Sequence, residues 1–509
     1  MLARIRSGLL QGIDALPCEV EVDFDPTAIE RALIVGLPDA AVKESLERVR
    51  TALTNSGYFP PPGRLLVNLA PADLKKEGPV YDLPIAIGML VVQGVVRARE
   101  DDALDYRGAV FAGELALDGR VRPIKGALAL ASMAKDSGAR AVIVPADNAE
   151  EAAIVEGIEV FGVRTLAEVV GLLTGQIDLA PAPPPDITGL LQTARAPIDF
   201  ADVRGQESVK RALTIAAAGM HNILLLGPAG TGKTMMAKAL PGVLPALSPE
   251  EAVEITRIYS ASGELRPGQG LITTRPVRSP HHTASSPAVV GGGIIPRPGE
   301  VSLAHRGVLF LDELPEFPRA VLETLRQPLE DHVVTIARAH GSIRFPASFM
   351  LVAAMNPTPK GDMPAGEVGR RDMDRYLSKI SGPLLDRIDI HVEAPAVPWK
   401  ELSGRERKGT STAQMQEQAA SARARQTERQ GAATPNARLS GRELDKVATL
   451  DEPTLALLGQ AITELGLSAR AYDKIRRIAR TIADMEGNED VTTNHVAEAV
   501  GYRVLDRRL

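Results

Sequence analysis

Gly227-Pro-Ala-Gly-Thr-Gly-Lys-Thr234, entered from the apolar run Ile223-Leu-Leu-Leu226, decides the fold of this chain. Strand, glycine-rich loop and helix start follow one another directly, which is the context a phosphate-binding P-loop requires. The glycines Gly227, Gly230 and Gly232, with Pro228, Ala229 and Thr231 between them, let the backbone curl. Several N–H groups then point inward at a polyphosphate, and the following helix presents its positive end. Lys233 is placed to reach the β- and γ-phosphates, and Thr234 to hold Mg2+ through its hydroxyl. ATP and Mg2+ are therefore the expected ligands.

A second motif, Gly307-Val-Leu-Phe-Leu-Asp312-Glu313, ends a buried-type run in two adjacent carboxylates. Such a run reads as a central parallel strand, and ligands bind at the carboxyl ends of strands in open α/β sheets. Asp312 would hold the Mg2+ shell, while Glu313 orients and deprotonates the attacking water. Together the two motifs predict nucleotide hydrolysis.

Bulk composition sets the outer bounds. A chain of 509 residues, 44% hydrophobic and 24% charged, is ordinary globular material for about three domains. A net charge of −6 gives no global nucleic-acid signature, so any DNA contact must come from local basic surface. Aromatics at 3% argue against base-stacking platforms. The single Cys18 excludes an intrachain disulfide and a cysteine-based zinc site. Arg4, Arg6 and Asp14 interrupt the first twenty residues, unlike a signal peptide, and no stretch approaches the length of a membrane span. The expectation is a cytosolic protein with no membrane partner.

Along the chain, residues 1–175 alternate apolar runs with helical patterns, an α/β arrangement. Runs 66–69, 109–112 and 141–144 read as strands, and 41–55 and 127–135 as helices. Ala180-Pro-Ala-Pro-Pro-Pro185 marks an extended linker over 176–198. A second α/β domain spans 199–397, with a helix from Arg319 stopped by Pro328 and a hairpin of 333–338 and 342–345. Met350-Leu-Val-Ala-Ala354 is another buried strand, ending at Asn356. From 398 to 509 the pattern is helical: 401–430, 442–450, 454–465, 469–485 and 493–500, with Ser440 and Thr492 as helix starts.

A P-loop strand, an Asp-Glu strand, a strand ending in Asn and a helical lid resemble the AAA+ arrangement. That resemblance implies that Asn356 positions the attacking water. Pro383-Leu-Leu-Asp-Arg387-Ile-Asp389 resembles the segment carrying an arginine finger, the residue with which one subunit completes its neighbour's site. Arg470 resembles the second sensor arginine, which touches the γ-phosphate. Arg278-Ser-Pro-His-His-Thr-Ala-Ser285, Pro296-Arg-Pro-Gly-Glu300 and Leu311-Asp-Glu-Leu-Pro-Glu-Phe317 narrow the likeness to the magnesium-chelatase-like AAA+ family, in its YifB/ComM branch. The resemblance covers nearly the whole chain. It implies a Lon-protease-like N-terminal α/β domain, an AAA+ core with a parallel sheet flanked by helices, and a helical C-terminal lid. It also implies a homo-hexameric ring driving DNA branch migration during recombination and natural transformation.

Two departures from the resemblance matter. Lys76-Glu-Gly-Pro79 resembles the segment preceding the Lon serine, yet Val80 follows, and the lysine position falls near Leu128. A Ser–Lys mechanism needs a hydroxyl and an amine, so a non-proteolytic scaffold is expected, with Lys125 a base lacking a nucleophile. The segment 357–366 carries no cysteine where relatives have several, so no metal role is carried over. His281 and His282, being adjacent, are poorly disposed to share one ion.

The insert 275–297 and the hairpin 334–345 correspond to pore-lining inserts of related ring motors. Arg278, His281, His282, Arg338, His340 and Arg344 are the candidate contacts to single-stranded or branched DNA. Such contacts engage phosphates without regard to sequence. A competing expectation is a chelatase-like ATPase that remodels a protein partner for metal insertion.

Overall fold

The computed structural model describes residues 1–99, 104–193, 198–293, 296–338, 341–358, 376, 378–398, 409–431 and 434–503, the Arg338 side chain excepted. Two compact units emerge: residues 1–190 with 249–272, and residues 191–248 with 273–509.

The first unit is built on a seven-stranded mixed sheet. Leu2–Gln11 and Asp14–Asp25 form a long antiparallel hairpin in register from Leu2↔Asp23 to Gln11↔Asp14. Ala3, Ile5, Val20 and Val22 face the core while Arg4, Glu19 and Glu21 face out, the two-residue period of a half-buried strand. Ala109–Phe111, Ala141–Pro145 and Glu159–Val163 extend the sheet in parallel. The helix Asp82–Val92 is buried along almost its whole length. Gly88 permits this, since a Cβ there would stand 2.4 Å from Val22 Cγ2. The buried Asp82 carboxylate accepts from Arg48 Nε and Nη2 at 2.9 and 3.1 Å.

The helix Pro249–Ser262 belongs to this first unit although it follows the P-loop helix in the chain. Glu151 accepts from Ser260 Oγ and from the Leu128 N–H, and Arg257 pairs with Asp14. Val80 lies in the short 3-10 turn Pro79–Tyr81, and the Leu128 side chain is buried in the helix Ala127–Asp136. The Pro-rich stretch does more than space the chain. The Ala182 N–H donates to Val160 O at 2.7 Å, and a short helix, Ile187–Thr193, follows inside the expected linker.

The second unit holds a five-stranded parallel sheet in the order Val277–Arg278, Val308–Leu311, Met350–Met355, Ile223–Leu226, Ile390–Glu393. Every residue of the three central strands is buried, as expected where helices cover both faces of a parallel sheet. Pro328 does not stop the helix that begins at Arg319. That helix ends at Thr324, the chain restarts at Arg326, and Pro328 sits in the first turn of Arg326–Asp331, where a missing N–H is harmless. The hairpin pairs Val333–Arg338 with Gly341–Pro346, setting Thr335 opposite Arg344.

Thr412–Gln430, Gly441–Val447, Glu452–Leu465, Ala469–Glu486 and Thr493–Gly501 form the helical C-terminal part. The first of these starts at a Ser411/Gln414 capping box, later than the expected 401; residues 399–408 lie outside the described residues. Ser440 and Glu443 form a second box, a device worth about 1 kcal/mol. No helix among the described residues is long and apolar enough to cross a membrane.

Candidate nucleotide site

The P-loop emerges from the carboxyl end of Ile223–Leu226, next to the strand that ends in Asn356 and one strand removed from Asp312. Gly227 is fixed by a close approach, since a Cβ there would meet Ala394 O at 2.2 Å. Gly230 and Gly232 hold φ of +81° and +84°, values that L side chains rarely adopt, and open space surrounds both. The Lys233 ammonium is buried at the centre of the loop. It donates to Gly227 O at 2.7 Å, Pro228 O at 2.8 Å and Asn356 Oδ1 at 3.2 Å. Burial pulls this lysine below its ordinary pKa, with Asp312 opposing. An arriving polyphosphate supplies the counter-charge that the site lacks.

Thr234 Oγ1 donates to Asp312 Oδ2 at 2.8 Å, so the two oxygens expected to share Mg2+ are already neighbours. Thr234 and Asp312 would hold that ion, and it would neutralise phosphate charge. Glu313, just past the end of its strand, adopts a left-handed backbone with φ of 53°, a costly conformation for a non-glycine residue. Its N–H donates to Asp312 Oδ1 at 3.0 Å. His282 Nδ1 stands 3.3 Å from Glu313 Oε2, with its ring 4.1 Å from that of His281.

The structure thus gathers Lys233, Thr234, Asp312, Glu313 and Asn356 at one edge of the sheet. Arg387 and Arg470 lie elsewhere. Ile390 pairs with Ile223, so Arg387 sits before the start of its strand, at the amino-terminal edge. Four residues of strand put the two edges about 13 Å apart. Arg387 donates from Nη1 to Pro383 O at 2.6 Å and pairs with Glu330, while Arg470 Nη1 reaches Asp386 Oδ2 at 3.1 Å. Both arginines line a cavity of ≈ 430 Å³ together with Lys474 and Arg477.

Among the candidate DNA contacts, Arg278 is held by Glu300 through two bonds of 2.6 and 2.8 Å. His282 is turned to Glu313, whereas Arg344 is exposed on the hairpin. His340 and the Arg338 side chain lie outside the described residues, as does most of the cysteine-free segment after Asn356. Sequence reading missed Glu330, which pairs with Arg387, Asn222, whose Nδ2 donates to the Arg387 carbonyl, and Lys474, which donates to the flanking carbonyls of Asp386 and Ile388.

A parallel sheet with a P-loop, an adjacent Asn-ended strand and an Asp-Glu strand defines a P-loop nucleoside triphosphatase. Residues 20–148, 199–402 and 409–503 match, in turn, the families described as subunit ChlI of Mg-chelatase, magnesium chelatase subunit ChlI, and the ChlI C-terminal region. The chain is 44% identical to competence protein ComM of Haemophilus influenzae over 100% of its own length and 98% of that protein. It is 43% identical to the uncharacterized protein YifB of Salmonella typhimurium, over 100% and 98%. The magnesium-chelatase 38 kDa subunit of Rhodobacter capsulatus is 31% identical over 32% of this chain and 51% of its own length. The chain belongs to the ComM/YifB family of magnesium-chelatase-like AAA+ ATPases.

Proposed function

We propose that this protein is an ATP-driven DNA motor, a homo-hexameric ring that promotes branch migration when incoming DNA is recombined during natural transformation. The observation that carries the reading is the separation of Arg387 from the P-loop by the full depth of the sheet, with Arg470 bonded to Asp386 beside it. Such arginines serve a nucleotide bound by the next copy of the chain, which makes hydrolysis a property of a ring. In that ring Lys233 grips the β- and γ-phosphates, and Thr234 and Asp312 hold Mg2+. Glu313 takes the proton of the attacking water, Asn356 orients that water, and the neighbour's arginines stabilise the charge that develops.

The exposed hairpin arginine Arg344, with Arg338, and the loop containing His281 and His282 are the proposed DNA-facing elements. The name of the Haemophilus relative, a competence protein, agrees with this track. The N-terminal unit is proposed as a cytoplasmic, non-proteolytic Lon-like scaffold, since Val80 and Leu128 offer neither hydroxyl nor amine. A second reading, remodelling of a protein partner for metal insertion, rests on the likeness to the 38 kDa chelatase subunit. ATP hydrolysis measured with branched DNA, linear DNA and no DNA separates the two. The motor reading predicts stimulation, greatest with branched DNA. A rate indifferent to every DNA would remove the motor reading.

A further inference from the structure

The segment Asp386–Asp389, which carries Arg387, has all four of its backbone carbonyls held by side chains from elsewhere in the second unit. Lys474 Nζ donates to Asp386 O and, at 3.2 Å, to Ile388 O. Asn222 Nδ2 donates to Arg387 O at 2.9 Å. Arg503 Nη1 donates to Ile388 O at 2.7 Å and to Asp389 O at 3.0 Å. Four consecutive carbonyls satisfied in this way leave the segment almost no freedom to rotate.

The three donors belong to different parts of the molecule. Asn222 immediately precedes the P-loop strand, its Oδ1 accepts from the Leu351 N–H at 2.9 Å, and its carbonyl accepts from Asp389 and Ile390. It therefore ties the base of the P-loop strand to the strand that ends in Asn356. Lys474 lies one helical turn beyond Arg470 on Ala469–Glu486, and Arg503 follows the last described helix. Asp389 completes the clamp, 3.2 Å from Lys474 Nζ and 3.3 Å from His221 Nδ1. Burial alone would raise the Asp389 pKa, but Lys474, His221 and Arg503 outweigh it and hold the carboxylate ionised.

We propose that Asn222, Lys474 and Arg503 are positioning residues for Arg387, fixing it to the base of the P-loop strand and to the helix that carries Arg470. The two arginines then approach a neighbouring nucleotide as one rigid body, and any shift of the P-loop strand is passed to the finger. This inference rests on the reading that Arg387 acts on the next copy of the chain.

Mixed assemblies of full-length protein test it. Lys474→Met keeps the side-chain volume and leaves the P-loop intact, so fluorescent ATP analogue should bind within about twofold of wild type while kcat falls about a hundredfold. Asn222→Ser loosens the same segment from the opposite side. Each variant, and Arg387→Ala, is mixed with Lys233→Ala, which lacks a working P-loop but keeps its arginines. Recovery of ATPase above either parent in the Arg387→Ala mixture and in at least one clamp mixture supports the proposal. Recovery with Arg387→Ala and with neither clamp variant overturns it and leaves the neighbour reading standing. No recovery with Arg387→Ala removes that reading and the inference with it. A wild-type rate in both clamp variants alone also overturns it.

Discussion

At the scale of single residues, the nucleotide site is organised around charge that is short of a partner. Lys233 is buried among carbonyl oxygens and the Asn356 amide, with its pKa depressed by desolvation. It gains a strong partner only when a polyphosphate enters. Glu313, in a left-handed turn just past its strand, plays the opposite part, a carboxylate half-exposed beside His282. Removing its basicity while keeping its shape isolates that role. Glu313→Gln should bind ATP as wild type does and lose about 10²–10⁴-fold in kcat. Single-turnover hydrolysis reads this directly, and a kcat near wild type would show that another group takes the proton.

Residue identity was most legible where spacing and chemistry coincide. Lys233, Thr234, Asp312 and Glu313 could be read because a P-loop tolerates little variation and an apolar run makes its terminal acids conspicuous. Asn222, Lys474 and Arg503 could not. Each is a common polar residue whose partner is a backbone carbonyl remote in the chain, and nothing in local pattern distinguishes it from a solvated side chain. The Arg278–Glu300 pairing was hidden for the same reason, because only the fold brings the two residues together.

Among elements, the three central strands of the parallel sheet were readable as uninterrupted apolar runs closed by Gly, Asp or Asn. The long N-terminal hairpin was harder, because Arg4, Arg6, Glu19 and Glu21 dilute its apolar content. Its signal is the alternation of Ala3 and Ile5 with those charges rather than hydrophobicity itself. The hairpin Val333–Arg338/Gly341–Pro346 lies beyond Arg326–Asp331, whose Glu330 pairs with Arg387. If this hairpin grips DNA, its arginines act through phosphates. Arg338→Ala with Arg344→Ala should weaken binding and flatten the dependence of log affinity on log salt by about two charges' worth. Fluorescence anisotropy across a salt series measures that slope. An unchanged slope and affinity would move the DNA contact elsewhere.

For the whole molecule, the telling feature is that the chain enters the second unit, leaves it for Pro249–Ile272, and returns. Chain order alone would have left this helix in the ATPase core. Its buried Ala252, Ile255 and Ile258 and its Ser260–Glu151 bond belong to the N-terminal unit. Exposing each such isoleucine costs about 1.5–3 kcal/mol. A fragment beginning at Leu191 should therefore melt lower than the full chain and aggregate on gel filtration. A monodisperse fragment that melts like the full protein would show that the N-terminal unit is dispensable for folding.

The central claim, that ATP turnover drives this protein along branched DNA, is tested by a junction assay. Labelled three- and four-way junctions are incubated with ATP, Mg2+ and either wild type or Lys233→Ala. The account predicts conversion of junctions to migrated products by wild type only, dependent on hydrolysable ATP. Junctions left intact by a wild-type preparation that hydrolyses ATP, or migrated equally by Lys233→Ala, would contradict it.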